Sequence, residues 1–312
     1  MSLHVNLRTA IATLAASLLF SSVLTAQEQG PQGQKSFPSA RAAAHALASA
    51  VKSNNQQALL EIFGSDGKEL VSSGDPEEDQ QNRDTFVQKY DQMHRVTQEP
   101  DGTTTLYIGA ENWPFPIPLV EKNKAWYFDT AAGKQEVLFR RIGRNELATI
   151  DVCRQLVEAE KEHFAGAHPG EAGQYAERFS ADQGEHNGLY HPVQNGEPEV
   201  GPLLAQASAD SGQAESTPFH GYYYRILTRQ GSKAPGGAKN YIVDGKMTGG
   251  FAFIAFPAQY KSSGVMTFIV SGDGTVYEKD LGTQTSITRS IRSYNPDSSW
   301  KKVEEQNQQS AQ

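Results

Sequence analysis

One cysteine, Cys153, stands among 312 residues, so no internal disulfide can form and no cysteine-built zinc site exists. Basic residues are also in deficit: 28 Lys and Arg face 36 Asp and Glu, for a net charge of −8. No segment clusters cations as a nucleic-acid partner demands, so nucleic acid is not an expected partner. After the first 26 residues there is no long uncharged apolar run, which excludes an integral membrane protein. Asn-X-Ser/Thr is absent throughout. What remains is an ordinary globular balance, with 38% hydrophobic and 21% charged residues. At roughly 100–200 residues per domain, the length predicts about two domains. A chain of this size buries enough surface to fold without a metal or a cross-link.

The N-terminus has its own pattern. Arg8 is the only charge in residues 1–26, an apolar run extends from Thr9 to Leu24, and Leu24-Thr25-Ala26 ends it on a small residue. This is the layout of a Sec-type signal peptide cleaved near Ala26, and it predicts a periplasmic or secreted protein; an uncleaved N-terminal anchor is the alternative. No cysteine follows the cleavage point, which excludes a lipoprotein. Residues 27–36 are a polar Gly/Gln linker and residues 304–312 a polar disordered tail.

The periodicity between them predicts an α+β protein with two domains, residues 37–141 and 142–303. The first opens with helices. Ala43, Leu47, Ala50 and Val51 share a helical face; Leu59, Leu60, Ile62 and Phe63 form a second short helix; a third is expected from Asp79 to Val96. The period then shortens to that of strands at Thr104–Ile108 and Ala125–Asp129. Between them, Trp113-Pro114-Phe115-Pro116-Ile117-Pro118-Leu119 has proline at alternate positions, so it cannot be a central strand. If the prolines face away from the neighbouring strand, the other edge can still pair. Helices followed by an antiparallel meander is a cystatin-like or nuclear-transport-factor-like pattern.

The second domain begins with a helix expected over Asn145–Phe164, on which Leu147, Ile150, Cys153, Val157 and Phe164 form an apolar stripe. A loop-rich stretch with a short helix at Gly201–Leu204 leads to strands at His220–Leu227, Phe251–Phe256, Val265–Val270 and Thr275–Lys279. Ser271-Gly272-Asp273-Gly274 is a tight hairpin turn, and a last helix is expected near Thr285–Arg292. A helix packed on an antiparallel sheet resembles the soluble part of pseudopilins and other pilin-like proteins. The helix is internal and amphipathic, so a conventional pilus is not expected.

Several long strings are distinctive: NWPFPIPLV at 112–120, AWYFDTAAGKQEVLFRRIGRNEL at 125–147, HGYYYRILTRQG at 220–231, GGFAFIAFPAQYKSSGVMTFIVSGDGTVYEKDLG at 249–282 and YNPDSSWKKV at 294–303. By these, the stretch from Phe37 to Val303 resembles domain-of-unknown-function family 2950, uncharacterised exported bacterial proteins. The resemblance implies no activity and transfers no functional residues.

His163 and His168, like His186 and His191, are five apart, which separates their rings by roughly 140° on a helix of 3.6 residues per turn and makes no zinc face. No Gly-x-Ser-x-Gly occurs, and Ser262-Ser263-Gly264 reads as a turn. Cys153, on the apolar stripe, reads as an inert thiol with a raised pKa. Gly236-Gly237 and Gly249-Gly250 make no phosphate cradle. Glu158, Glu160 and Glu162 spread around their helix as a solvated face. Asp273 and Asp280 flank the hairpin but are too few for calcium. No catalytic residue, metal or cofactor is therefore expected.

Aromatic surface is the remaining signal. Trp113 and Phe115 alternate with prolines, and Tyr222, Tyr223 and Tyr224 run consecutively, so rings must point to both sides of a strand. An outward ring can stack on a glycan or peptide; packing between sheet and helix is the alternative. Arg140, Arg141, Arg144, Asn145 and Glu146 are expected to bridge the two halves at the domain joint. The sequence thus points to a non-enzymatic binding or assembly module of the bacterial cell envelope, partnered by an envelope protein, a glycan or a peptide. The rival is an envelope hydrolase built from loop residues such as His186, His191 and Glu185.

Overall fold

The computed structural model describes residues 33–72, 76–166, 173–180, 188–190, 204, 206–208, 217–283 and 290–304. The expected signal peptide, the helices at Gly201–Leu204 and Thr285–Arg292, and nearly all of the tail lie largely outside them. The chain is α+β and divides into two compact units, residues 1–130 and 131–312.

Unit 1 starts with α1 (Ala40–Lys52) and α2 (Gln56–Phe63). Ser39 caps α1 by accepting from the Ala42 N–H at 3.1 Å, and Asn55 caps α2 by accepting from Ala58 at 3.0 Å. The predicted faces are the buried ones: Ala43, Leu47 and Ala50 on α1, and Leu59, Ile62 and Phe63 on α2. A single turn, α3 (Lys68–Val71), follows, and then α4 (Pro76–Gln92). Proline at the first position of α4 needs no N–H there, so the helix begins earlier than expected. It also ends earlier. His94–Gln98 is β1, not helix, because Val96 and Thr97 pair across to β2 (Thr104–Ile108) in antiparallel register, Val96 opposite Leu106.

β2 alternates buried and half-buried residues as its sequence predicts. It pairs with β3 (Trp113–Pro114) and, through Thr104 and Leu119, with β4 (Leu119–Lys122), which pairs in turn with β5 (Ala125–Phe128). The Phe115 N–H donates to Leu106 O at 2.7 Å. By strand alternation the nitrogens of Pro114 and Pro116 therefore face away from β2, whose ladder does not miss their donors. Phe37 closes the far edge by exchanging two backbone hydrogen bonds with Trp126, at 2.9 and 2.8 Å. Gln34 and Lys35, at the end of the segment read as linker, are tied to unit 1. The Gln34 amide donates to Ile62 O and Phe128 O, and the Lys35 N–H donates to Glu61 O.

Unit 2 is built on α5, which runs over Thr130–Phe164 and so begins fifteen residues before Asn145. The apolar residues of this added length do not form one continuous stripe: Ile142 is buried, whereas Val137 and Phe139 are exposed. Helix-forming Ala, Lys, Gln, Glu, Leu and Arg, and an i,i+4 pair between Glu136 and Arg140 at 2.7 Å, sustain it instead. Short strands follow: β6 (Arg178–Ser180) and β7 (Gly188–Tyr190) in a parallel pair, then β8 (Tyr222–Leu227), β9 (Arg229–Gln230), β10 (Lys239–Asn240), β11 (Ile242–Val243) and β12 (Lys246–Met247). The main strands are β13 (Ala252–Pro257), β14 (Met266–Ser271), β15 (Val276–Asp280) and β16 (Lys301–Lys302). The principal sheet is antiparallel in the order β16-β15-β14-β13-β8. β6, β7 and β16 carry no alternation long enough to be read from sequence.

The register sorts this sheet into two faces. Tyr222, Tyr224, Phe253, Phe268 and Val276 share one, and α5 covers it: the Tyr224 hydroxyl meets Thr149 Oγ1 at 3.4 Å. Tyr223, Arg225, Ile254, Ile269, Tyr277 and Lys279 share the other. The expected hairpin turn is present, with the Gly274 N–H donating to Ser271 O at 2.9 Å. No helix among the described residues is long and apolar enough to cross a membrane.

Candidate functional site

The aromatic residues singled out from sequence fall in different units. Trp113 and Phe115 lie at the proline-rich edge of unit 1. The Phe115 ring turns inward, 5.4 Å from Phe86 and 6.3 Å from Phe128, while Trp113 is 37% exposed and meets Phe115 edge-on at 6.5 Å. In unit 2, Tyr222 and Tyr224 have no exposed surface. The Tyr222 hydroxyl donates to Met266 O at 3.0 Å, and burial pushes both phenols far above their ordinary pKa. These two rings are core and are not presented to solvent. Tyr223 is half-buried on the opposite face, 6.0 Å from Phe256.

Other candidates are spent locally. Asp273 accepts from Ser271 Oγ and from the Thr275 N–H, Asp280 accepts from Tyr260 and from the Gly282 N–H, and Ser263 bonds both N–H and C=O of Gln259. Cys153 is fully buried and desolvation lifts its thiol to about 12. His168, Glu185, His186 and His191 lie outside the described residues. Among those described, no three His, Cys, Asp or Glu side chains converge as a metal site would.

Of the residues expected at a domain joint, Arg141, Asn145 and Glu146 hold a turn within unit 2. Glu146 Oε1 accepts from the Val265 and Met266 N–H groups at 2.8 and 3.0 Å, the Asn145 amide donates to Ser263 O at 2.8 Å, and Arg141 reaches Ser262. The turn is packed without slack: a Cβ on Gly264 would stand 2.1 Å from the Tyr222 hydroxyl.

The buried side of α5 is wider than the expected stripe. Ile150, Cys153 and Val157 are buried as the stripe predicts, Leu147 is 51% exposed, and Thr149, Leu156, Glu160 and His163 join Cys153 in a buried line at steps of three and four. Glu160 is thus not on a solvated face. Its Oε2 accepts from the Ala176 N–H at 2.9 Å, and desolvation raises the carboxyl to about 8 despite that bond. The signal was in the spacing, three and four residues beyond Val157 and Leu156, but a charged residue type masked it.

Among the described residues, a cleft of about 440 Å³ lies over the sheet face opposite α5. Ile269, from the centre of the sheet, and Leu281 supply its apolar surface. Arg229, Lys279 and Arg292 bring three cations, and among the described lining residues no carboxylate, imidazole or thiol accompanies them. Ser293 and Asn295 add neutral polar groups, and Trp300 adds a flat ring. The strand alternation that places Ile269 and Lys279 on one face also places Trp300 beside Lys279, whose Nζ lies 5.8 Å from the ring centroid. The Trp300 backbone is fixed by its N–H donating to Asp297 O at 3.0 Å. Asp297, outside the lining, is held below the usual carboxylate range first by the Ser299 hydroxyl and N–H, and more weakly by Lys279 and Lys233.

Fold and cleft together define a two-unit α+β protein with a cationic, tryptophan-walled cavity in its second unit. The chain belongs to the family described as protein of unknown function (DUF2950), whose family model matches residues 34–303. No curated protein and no solved structure matches it.

Proposed function

We propose that the chain is a non-enzymatic, exported binding module of the bacterial cell envelope, and that its ligand enters the cleft of unit 2. One observation carries this: a cavity within the size of small-ligand sites, about 300–1,000 Å³, with charged, polar and aromatic groups converging on an apolar floor. Its described lining offers groups that hold a ligand and none of the imidazole, carboxylate or thiol groups that commonly transfer protons or attack. Export is supported by the Arg8, apolar-run, Ala26 layout of the N-terminus. Trp113 and Tyr223 are secondary contact candidates, each with partly accessible ring surface.

Cross-linking in the native envelope, followed by affinity purification and mass spectrometry, tests the proposal. A reproducible envelope component, captured by the wild type and lost when the cleft cations are replaced, is the expected result. Recovery of the protein as a partnerless monomer from the cytoplasmic fraction would overturn it. A hydrolytic activity abolished by replacing Glu185, His186 and His191 would move the function to the rival hydrolase.

A further inference from the structure

Glu160 is an anomaly within unit 2. Its carboxyl has no exposed surface, yet it holds a single hydrogen bond, from the Ala176 N–H to Oε2 at 2.9 Å, and Oε1 has no partner. A buried carboxylate needs several donors or a cation; the protonated acid is the form that tolerates so few. Around it stand His163, buried one turn further along α5, Tyr175 of the following segment, and Tyr190 of β7. Burial first, and Glu160 second, raise both phenols. The charges of the following segment, Glu177 and Arg178, are exposed.

The bond from Ala176 also ties a strap to α5. Residues 173–180 turn back over the helix end, where the Gly173 N–H donates to Phe164 O at 2.8 Å and the Tyr175 N–H to Met247 O at 2.7 Å. Beyond Ala176, β6 pairs with β7 in a two-stranded parallel sheet apart from the principal one. Two parallel strands alone are a weak unit, so the strap can open while the principal sheet stays folded. The Tyr175 ring stacks on Phe164 at 4.4 Å and meets Phe251 at 4.8 Å, so lifting the strap bares an apolar patch.

We infer that Glu160 is a proton-operated latch: protonated, it holds the strap of residues 173–180 closed over α5, and loss of the proton releases the strap and uncovers Phe164 and Phe251. The latch stands independently of the cleft. Its sign follows from linkage. Desolvation holds the closed carboxyl at about 8, against 4.5 when it is released to water. The latch is therefore complete below pH 4.5, weakens about tenfold per pH unit as pH rises toward 8, and then levels off.

The test is residue-resolved amide exchange of the purified protein from about pH 5 to about pH 7.5, inside that window, with each rate divided by its intrinsic chemical rate. At every pH, Tyr175 and Ala176 should be protected about tenfold less, or worse, than Phe253 and Ile254 of β13. Dilute denaturant should leave strap exchange unchanged, because a local opening exposes little surface. Strap protection should fall about tenfold per pH unit in the wild type. Glu160→Gln keeps an acceptor for Ala176 and keeps His163 but cannot ionise, so its strap profile should be level across the range. Glu160→Leu removes the acceptor as well; its profile should also be level, but at lower protection than in Glu160→Gln, which separates the bond from the proton. Strap amides no faster than those of β13 would mean that the segment opens only with the whole unit, and would overturn the inference. So would a level profile in the wild type, which decides the matter even if neither variant folds. A slope that survives in Glu160→Gln would move the titration to another group, such as His163, and overturn it too.

Discussion

Unit 1 closes its core with alanines, aliphatics and phenylalanines, whereas unit 2 adds four buried tyrosines, Tyr222, Tyr224, Tyr241 and Tyr294, and buries ionisable groups among them. In unit 1, Ala43, Ala44 and Ala48 lie under α1 against Leu106, Ile108 and Leu119 of the sheet. Its buried carboxylate, Asp79, sits at the margin and accepts from Ser72 at 2.7 Å. In unit 2, Tyr222, Tyr224, Phe253 and Phe268 surround a helix line that includes Thr149, Glu160 and His163. Small side chains let the elements of unit 1 approach closely and leave its stability to apolar burial. Large amphipathic rings give unit 2 many hydroxyls to satisfy and place part of its stability under the control of pH.

The comparison can be broken most forcefully in the cores. Phe253→Ala should destabilise unit 2 by about 3–5 kcal/mol, and Leu47→Ala should destabilise unit 1 by about 2–5 kcal/mol. Hydrogen exchange should place each loss in its own unit; a loss spread evenly over both would mean one cooperative block. The next effect concerns Glu160. Its carboxyl is raised from 4.5 to about 8 in the folded state, so the stabilisation is complete below pH 4.5 and declines as pH rises toward 8. The slope is roughly 1.4 kcal/mol per pH unit within that window. Glu160→Gln keeps an oxygen for Ala176, abolishes the ionisation, and should flatten unit 2's part of the stability curve from denaturant melts. An unchanged slope would refute the assignment.

Smaller effects sharpen the contrast. Glu146→Ala removes the acceptor of two backbone N–H groups and should cost about 1–3 kcal/mol, with faster amide exchange at Val265 and Met266. Cys153, held near 12, should resist iodoacetamide at pH 8 until the protein unfolds. Trp113→Ala, at an exposed edge, should change stability by no more than about 1 kcal/mol in a thermal melt.

Periodic elements were legible from sequence: α1, α2, β2, β5 and the long strands of unit 2 fall where their apolar spacing puts them. The misplacements share a physical origin. The first half of α5 buries Ile142 but exposes Val137 and Phe139, so propensity and the Glu136–Arg140 pair support it and no continuous stripe marks it. β1 was absorbed into the preceding helix because Met93 and His94 continue a helical spacing by chance, and only pairing with β2 decides the matter. Glu160 was misread because residue type outweighed position. The cleft was not legible at all: Arg229, Lys279, Arg292 and Trp300 are spread over more than seventy residues, and only the folding of separate strands and loops together assembles them. The tyrosine run was legible as two-sided, but not which side would be sealed by α5.

The alternate prolines of unit 1 have a consequence beyond the fold. The side of Trp113–Pro116 turned away from β2 presents pyrrolidine rings where an incoming strand would look for N–H donors. A second molecule cannot extend the ladder there, and the row cannot template cross-β growth. At the opposite margin, Phe37 already occupies the place beside Trp126. Crowded copies of the protein should therefore resist fibril seeding through these two margins, with a guard written into covalent structure at one and a guard of the chain's own backbone at the other.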